Sequence, residues 1–130
     1  MAVELKLLGA AIIIGLVQLL WAAGAARAQQ DMKWAAGPRD KPMPINGSAA
    51  RLHRAFWNFL ETFPFFAAAV LAAAAAGRLG SDLTIWGSLV YVVGRAAYAP
   101  LYAAGIPMVR SIVWFASLIG LVMILVALLR

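Results

Sequence analysis

The sequence predicts an all-α membrane protein, a single domain over residues 1–130 built as a bundle of four transmembrane helices. Hydrophobic residues make up 65% of the chain and charged residues only 12%, whereas soluble domains carry about 45–50% and about 25%. Four long apolar stretches stand out, at residues 5–26, 52–76, 83–104 and 109–129. About 20 residues (range about 17–25) cross the hydrocarbon core as a helix, and backbone groups in lipid must bond within their own segment. Each stretch is therefore predicted to be a spanning helix.

The first stretch is also compatible with a signal peptide. It is followed by Ala26-Arg27-Ala28, an Ala-x-Ala sequence of the kind found at cleavage sites. However, its apolar core is longer than that of a usual signal peptide, and Glu4 offsets the charge of Lys6 in the leading segment. We therefore favour a retained helix over a cleaved one.

The connections between the stretches differ in length. Residues 77–82 and the Gly-Ile-Pro sequence at residues 105–107 are typical of tight turns. Residues 27–51 form a long connection, and its Gly37-Pro38 and Pro42 indicate ordered loop. The sequence thus predicts one long loop followed by two short turns.

The net charge of +6 comes mainly from basic residues in the long connection, with Arg110 beside the third one. Such clustering follows the positive-inside rule for membrane proteins. It predicts that the first and third connections are cytoplasmic and that both termini lie on the other side of a bacterial inner membrane. Nucleic-acid binding would instead require a solvated basic face with aromatic residues between the charges. We therefore predict membrane lipids and no nucleic acid as partners.

The residue types present exclude several kinds of site. The chain has no cysteine, one histidine and five acidic residues. It therefore has no disulfide and no thiolate nucleophile of its own, and no metal centre is predicted. Any thiol chemistry has to come from a ligand.

Two of the apolar stretches carry a narrow polar stripe. In each stripe the polar residues recur at steps of three and four, which places their side chains on one helix face. The stripes consist of Arg51, Arg54, Asn58 and Glu61 on the second stretch and of Arg95, Tyr98 and Tyr102 on the third. Ionisable residues inside a membrane indicate a functional site by default.

Glu61 and Arg95 are predicted to lie at the same depth, because each is about nine residues, or roughly 14 Å, from the cytoplasmic end of its helix. A lone charge there costs at least about 2.5–3.5 kcal/mol, so we predict an Arg95–Glu61 ion pair. One glutamate cannot neutralise Arg51, Arg54 and Arg95 together. The surplus positive charge calls for an anionic ligand, and guanidinium groups suit carboxylates. The alternative is that the polar side chains only fasten helices together.

Two motifs carry a resemblance to a known family. They are Arg54-Ala-x-x-Asn58-x-x-Glu61-x-Phe-Pro64 and Arg95-x-x-Tyr98-x-x-x-Tyr102. Together they resemble the MAPEG family, the membrane-associated proteins in eicosanoid and glutathione metabolism, and in particular a bacterial-type member. The resemblance covers nearly the whole chain. It implies a homotrimer of four-helix subunits, with glutathione bound as co-substrate between neighbouring subunits near the cytoplasmic face.

The resemblance also implies roles for individual residues. Arg54 would bind a carboxylate of glutathione, Asn58 would contact the ligand, and Glu61 would take the amino group. The other residues that it implies for the binding site are Arg51, Arg95, Tyr98 and Tyr102.

Catalysis in the family lowers the pKa of the glutathione thiol with a nearby arginine or hydroxyl group, because the thiolate is the nucleophile. Arg110 and Ser111, at the start of the fourth stretch, are the candidates for this role. The implied function is a glutathione transferase or peroxidase acting on lipophilic electrophiles. Thr62 stands where leukotriene-forming members have a tyrosine, so their substrate is not implied. The alternatives are a non-catalytic protein of the same fold that binds a lipid or thiol ligand, and a purely structural membrane subunit.

Overall fold

The computed structural model describes all 130 residues, and its regular structure is entirely helical. The predicted fold class is therefore confirmed. The helices are α1 (Val3–Gln29), α2 (Met32–Ala36), α3 (Gly47–Ala75), α4 (Asp82–Ala103) and α5 (Pro107–Leu129). Four of them are long, and α2 is a short helix within the first loop.

The first loop is shorter than the stretch predicted for it, because α1 and α3 both extend beyond their apolar cores. The side-chain amide of Gln29, the last residue of α1, donates to the Asn46 carbonyl at 3.0 Å and accepts from the Asn46 amide at 2.9 Å. Asn46 is the residue before α3 begins. This reciprocal bond joins the polar ends of two helices, which a search for apolar residues alone cannot detect.

α4 packs against α1, α3 and α5. Its connections to α3 and α5 are short, at residues 76–81 and 104–106, so it runs antiparallel to both. The backbones of α4 and α5 come very close to each other. A Cβ added to Gly87 would lie 2.6 Å from the Gly120 carbonyl oxygen, so neither position has room for a side chain.

Three helices, α1, α3 and α5, are long and apolar enough to cross a membrane. α4 has the length of a span, but one of its faces is polar from end to end. That face consists of Thr84, Ser88, Tyr91, Arg95, Tyr98 and Tyr102, spaced alternately by four and three residues. All but Tyr102 are buried among the other helices, so α4 can lie at membrane depth without exposing this face to lipid.

Glu4 connects α1 and α4 at the end of the bundle where the chain begins and ends. Its carboxylate is almost fully buried and accepts hydrogen bonds from the Thr84 hydroxyl at 2.7 Å and from the Gly80 amide at 2.5 Å. These bonds join the start of α1 to the start of α4. Because a buried carboxylate without such partners would be costly, Glu4 fixes how far α1 inserts into the bundle.

Candidate functional site

A cleft of about 610 Å³ opens between α3, α4 and α5, at the end of the bundle that carries the first loop. Seven of the predicted site residues line it: Arg54, Asn58, Glu61, Tyr98, Tyr102, Arg110 and Ser111. Trp57, Trp114 and Phe115 complete the wall. The structure thus brings together most of the two polar stripes and the start of α5.

Tyr102 holds two cationic side chains at the mouth of the cleft. The Arg54 Nε donates a hydrogen bond to its hydroxyl at 3.1 Å, with the guanidinium carbon 5.7 Å from the ring centre. The guanidinium of Arg110 lies over the same ring at 4.4 Å. Glu61, the only acidic residue of the wall, makes no hydrogen bond and is exposed to the cleft. The cleft therefore carries more positive than negative charge.

Arg95 lies in the interior of the protomer and does not line the cleft. It is fully buried, its guanidinium is 4.3 Å from the centre of the Tyr98 ring, and its Nη1 donates to the Asn58 Oδ1 at 2.9 Å. Nε and Nη2, the two nitrogens that form its bidentate edge, have no partner. Arg95 thus positions Asn58 and Tyr98, which do line the cleft.

The predicted Arg95–Glu61 ion pair is wrong. Of the three Arg95 guanidinium nitrogens, Nη1 bonds to Asn58 and the other two have no partner, so none bonds to Glu61. Counting residues from the helix ends placed the two groups at one depth, but it did not fix which way each side chain points. Asn58, one turn before Glu61 on α3, accepts the Arg95 hydrogen bond, whereas Glu61 is exposed to the cleft.

Arg51 also lies outside the cleft. Its Nε donates to the Ala103 carbonyl at 2.9 Å, at the last residue of α4, and its side chain packs beside Gly105. A cation at a helix C-terminus is favourable because it meets the negative end of the helix dipole. Arg51 therefore joins α3 to the turn that leads into α5.

The two candidate catalytic residues, Ser111 and Arg110, differ in whether their side chains already form a hydrogen bond. The Ser111 hydroxyl donates to the Pro107 carbonyl at 3.2 Å, one turn earlier in α5. Arg110 makes no hydrogen bond and interacts only with the face of Tyr102. Of the two, Arg110 has donors left for a ligand.

The sequence analysis did not identify the three aromatic residues of the wall. Trp57 donates through its indole nitrogen to His53 Nε2 at 3.0 Å, and Trp114 packs edge-on against Phe115 at 5.1 Å. Helical spacing could have indicated them. Trp57 follows Arg54 by three residues, and Trp114 follows Arg110 by four.

Thr62 faces the bundle interior, one turn below Asn58. Its hydroxyl lies 2.9 Å from the Tyr91 hydroxyl, and the Tyr91 ring stacks on Phe66 at 4.1 Å between ring centres. Tyr91 precedes Arg95 by one turn of α4. The contact between the Thr62 and Tyr91 hydroxyls therefore joins α3 to α4 one turn from the contact between Asn58 and Arg95.

Replacing Asn58 by alanine should destabilise the protein, because it removes the only hydrogen bond of the buried Arg95 guanidinium. We expect a loss of about 1.5–3 kcal/mol in the free energy of unfolding, typical of a hydrogen bond to a charged group. Denaturant unfolding in detergent micelles without ligand measures it. Asn58→Asp keeps an acceptor and should retain stability. Glu61→Gln, which removes no bond, is the control, and equal losses in Asn58→Ala and Glu61→Gln would contradict this assignment.

Comparison with known proteins identifies the family of the chain. The family model described as "MAPEG family" matches residues 7–130, almost the whole chain. No curated protein matches the sequence significantly. The matched region contains every cleft residue, all of α3 and α5 and most of α1, the three helices that are long and apolar enough to span a membrane. The chain is therefore a multi-pass, glutathione-related membrane protein that belongs to the MAPEG family.

Proposed function

We propose that the cleft binds glutathione and that the protein is a glutathione transferase or peroxidase for lipophilic electrophiles. The observation that supports this most strongly is the charge of the site. Arg54 and Arg110 line the cleft and face a single carboxylate, that of Glu61. A cleft at membrane depth with excess guanidinium groups favours an anionic ligand.

Glutathione matches this distribution of charge, because it has two carboxylates and one ammonium group. In our proposal Arg54 binds a carboxylate and Glu61 binds the ammonium group. Asn58 and Tyr98 contribute hydrogen bonds from the wall between them. Family membership implies a glutathione-related protein, and the charges explain why this chain would retain that ligand.

The proposed chemistry is attack by the glutathione thiolate on an electrophilic carbon or a peroxide oxygen. Arg110 stabilises the charge on sulfur, because its guanidinium lines the cleft with unused donors. Ser111 is the weaker candidate, because the Pro107 carbonyl already accepts from its hydroxyl.

We further propose that the chain works as a homotrimer, with the first loop and the cleft facing the cytoplasm. Two large aromatic side chains at the cleft, Trp57 and Phe115, are 54% and 61% exposed in the single chain. A neighbouring subunit could cover them and close the cleft around its ligand. The basic first loop supports the orientation.

A non-catalytic binding protein of the same fold is the second candidate. It is favoured by the state of the two catalytic candidates, since Arg110 packs on Tyr102 and Ser111 is bonded to Pro107. In that case the cleft would bind a lipid or thiol ligand without turning it over. Glutathione binding with neither a thioether product from an electrophile nor glutathione disulfide from a peroxide would favour this reading.

Titration calorimetry of the purified protein with glutathione tests the proposed ligand. We expect saturable binding, weakened about 10- to 100-fold by Arg54→Ala, because a charge-assisted hydrogen bond contributes about 1.5–3 kcal/mol. Glu61→Ala should weaken binding in the same way. Arg78→Ala removes a cation at the opposite end of the bundle, in the turn between α3 and α4, and should have no effect. If the unmodified protein shows no saturable binding, the proposal fails.

A further inference from the structure

The first loop, between α1 and α3, is ordered by its own side chains but contributes none of the residues of the cleft wall. The Gln30 side-chain amide donates to the Met43 carbonyl at 3.0 Å, and the Asp31 amide donates to the Met43 sulfur at 3.2 Å. The reciprocal bond between the last residue of α1 and the residue before α3 closes the loop at its base. These contacts hold the loop in one shape that the cleft does not require.

Trp34, on α2, gathers two cationic residues of this loop around its indole ring. The guanidinium carbon of Arg39 lies 5.6 Å from the ring centre, and the indole nitrogen donates to the Lys41 carbonyl at 2.5 Å. The Arg39 Nε donates to the Ala35 carbonyl at 3.0 Å, which leaves its Nη1 and Nη2 without a partner in the chain. The side chains of Arg39 and Lys41 are exposed. The loop thus presents an oriented guanidinium group with two nitrogens free to donate.

The backbone of Arg39 is strained in this position. Its φ is +60°, and it is the only residue of the chain other than glycine with a positive φ. Residues with a Cβ adopt this conformation at an energetic cost, and such residues cluster at binding sites. A strained backbone that carries a free guanidinium to the surface indicates a binding role for Arg39.

Neither acidic residue of the loop neutralises its cations. Asp31 caps α2, because its Oδ1 accepts a hydrogen bond from the Lys33 amide at 3.1 Å. Asp40 is exposed and forms no hydrogen bond with Lys33, Arg39 or Lys41. The three cationic side chains therefore remain available to an anion.

The first loop begins at the depth of the lipid headgroups. Glu4 bonds to Thr84, so α1 and α4 are level where both begin. From there α1 runs 25 residues and α4 only 19, so the loop begins about six residues, or ~9 Å, beyond the end of α4. α4 has 22 residues, roughly 33 Å, and matches the hydrocarbon core of about 30 Å. The base of the loop therefore lies just outside the hydrocarbon.

We propose that the first loop binds lipids with an anionic headgroup, with Arg39 donating to the phosphate. Lys33 and Lys41 add positive charge, and Met32 and Trp34 face the upper part of the acyl chains. Met32 is 73% exposed, and an apolar side chain beside a tryptophan is favourable at the boundary between headgroups and acyl chains. A guanidinium group binds two phosphate oxygens through parallel N–H bonds. This inference does not depend on glutathione binding in the cleft.

Native mass spectrometry of the protein in detergent tests the inference. The protein would be mixed with equal amounts of dioleoyl phosphatidylglycerol and dioleoyl phosphatidylcholine, which share their acyl chains and differ in net charge. We expect preferential retention of phosphatidylglycerol. The double variant Arg39→Gln/Lys41→Gln should lower its affinity at least about 10-fold, because each basic residue near an anionic membrane surface contributes about fivefold.

The matched control is Lys6→Gln/Arg78→Gln, which removes two exposed cations at the opposite end of the bundle and should retain the preference. Helical circular dichroism and glutathione affinity should be unchanged in both double variants, because none of the four residues lines the cleft. Inorganic phosphate, added in excess over the lipid, should not displace phosphatidylglycerol, because it lacks the acyl chains that Met32 and Trp34 contact.

Three results would overturn the inference. Equal retention of the two lipids by the unmodified protein would show that the loop does not select anionic headgroups. Equal loss of phosphatidylglycerol in the two double variants would show that net charge, and not the arrangement around Trp34, attracts the lipid. Displacement by inorganic phosphate would show that the loop binds a soluble anion. A failure of glutathione binding would remove the proposed function and leave this result as it stands.

Discussion

The charge of Arg95 in the middle of the bundle constrains much of this structure. The guanidinium is fully buried, yet no carboxylate bonds to it. Several kilocalories per mole are lost when an ion leaves water, so its surroundings have to compensate. The side-chain oxygen Oδ1 of Asn58 accepts a hydrogen bond from the guanidinium, and the centre of the Tyr98 ring lies 4.3 Å away. Both of these residues line the cleft, and so the groups that stabilise the buried charge also shape the cleft wall.

This constraint explains how α4 packs against the other long helices. Its polar face would be unfavourable in lipid, and contacts with α1, α3 and α5 cover it along its length. Close approach at Gly87 and Gly120 holds α5 against it on one side, and the buried Glu4 carboxylate holds α1 at the terminal end. The other long helices thus cover the polar face of α4. At the loop end this face is less covered, since Tyr102 is only partly buried, and there the cleft forms.

Sequence reasoning predicted the fold and most of the polar residues that line the cleft, because both depend on helical periodicity. The polar stripes of α3 and α4 meet where their spacing and depth indicated, and Arg54 and Tyr102 are in direct contact. What it missed depends on side-chain direction. Asn58, not Glu61, receives the Arg95 hydrogen bond, because both residues lie on one side of α3 and depth alone does not fix which of them the Arg95 side chain reaches.

Glu4 and Trp114 also differ from what the sequence indicated, and in both cases the reason is long-range packing. Glu4 looked like a charge in the leading segment of the chain, but long-range contacts with Thr84 and Gly80 make it a buried structural residue. Trp114 belongs to neither polar stripe, but the packing of α5 brings it into the cleft wall. Contacts between residues so far apart in the chain are set by packing, and local patterns carry little information about them.

Binding of glutathione esters tests the central claim most directly, namely that excess guanidinium charge in the cleft selects a ligand with carboxylates. Calorimetry would compare glutathione with its monoester and diester, which keep the thiol and the ammonium group but lose one or both negative charges. The account predicts that affinity falls stepwise as each carboxylate is esterified and that Arg54→Ala no longer distinguishes glutathione from the ester lacking the carboxylate that Arg54 binds. Equal affinity for glutathione and its diester would contradict it.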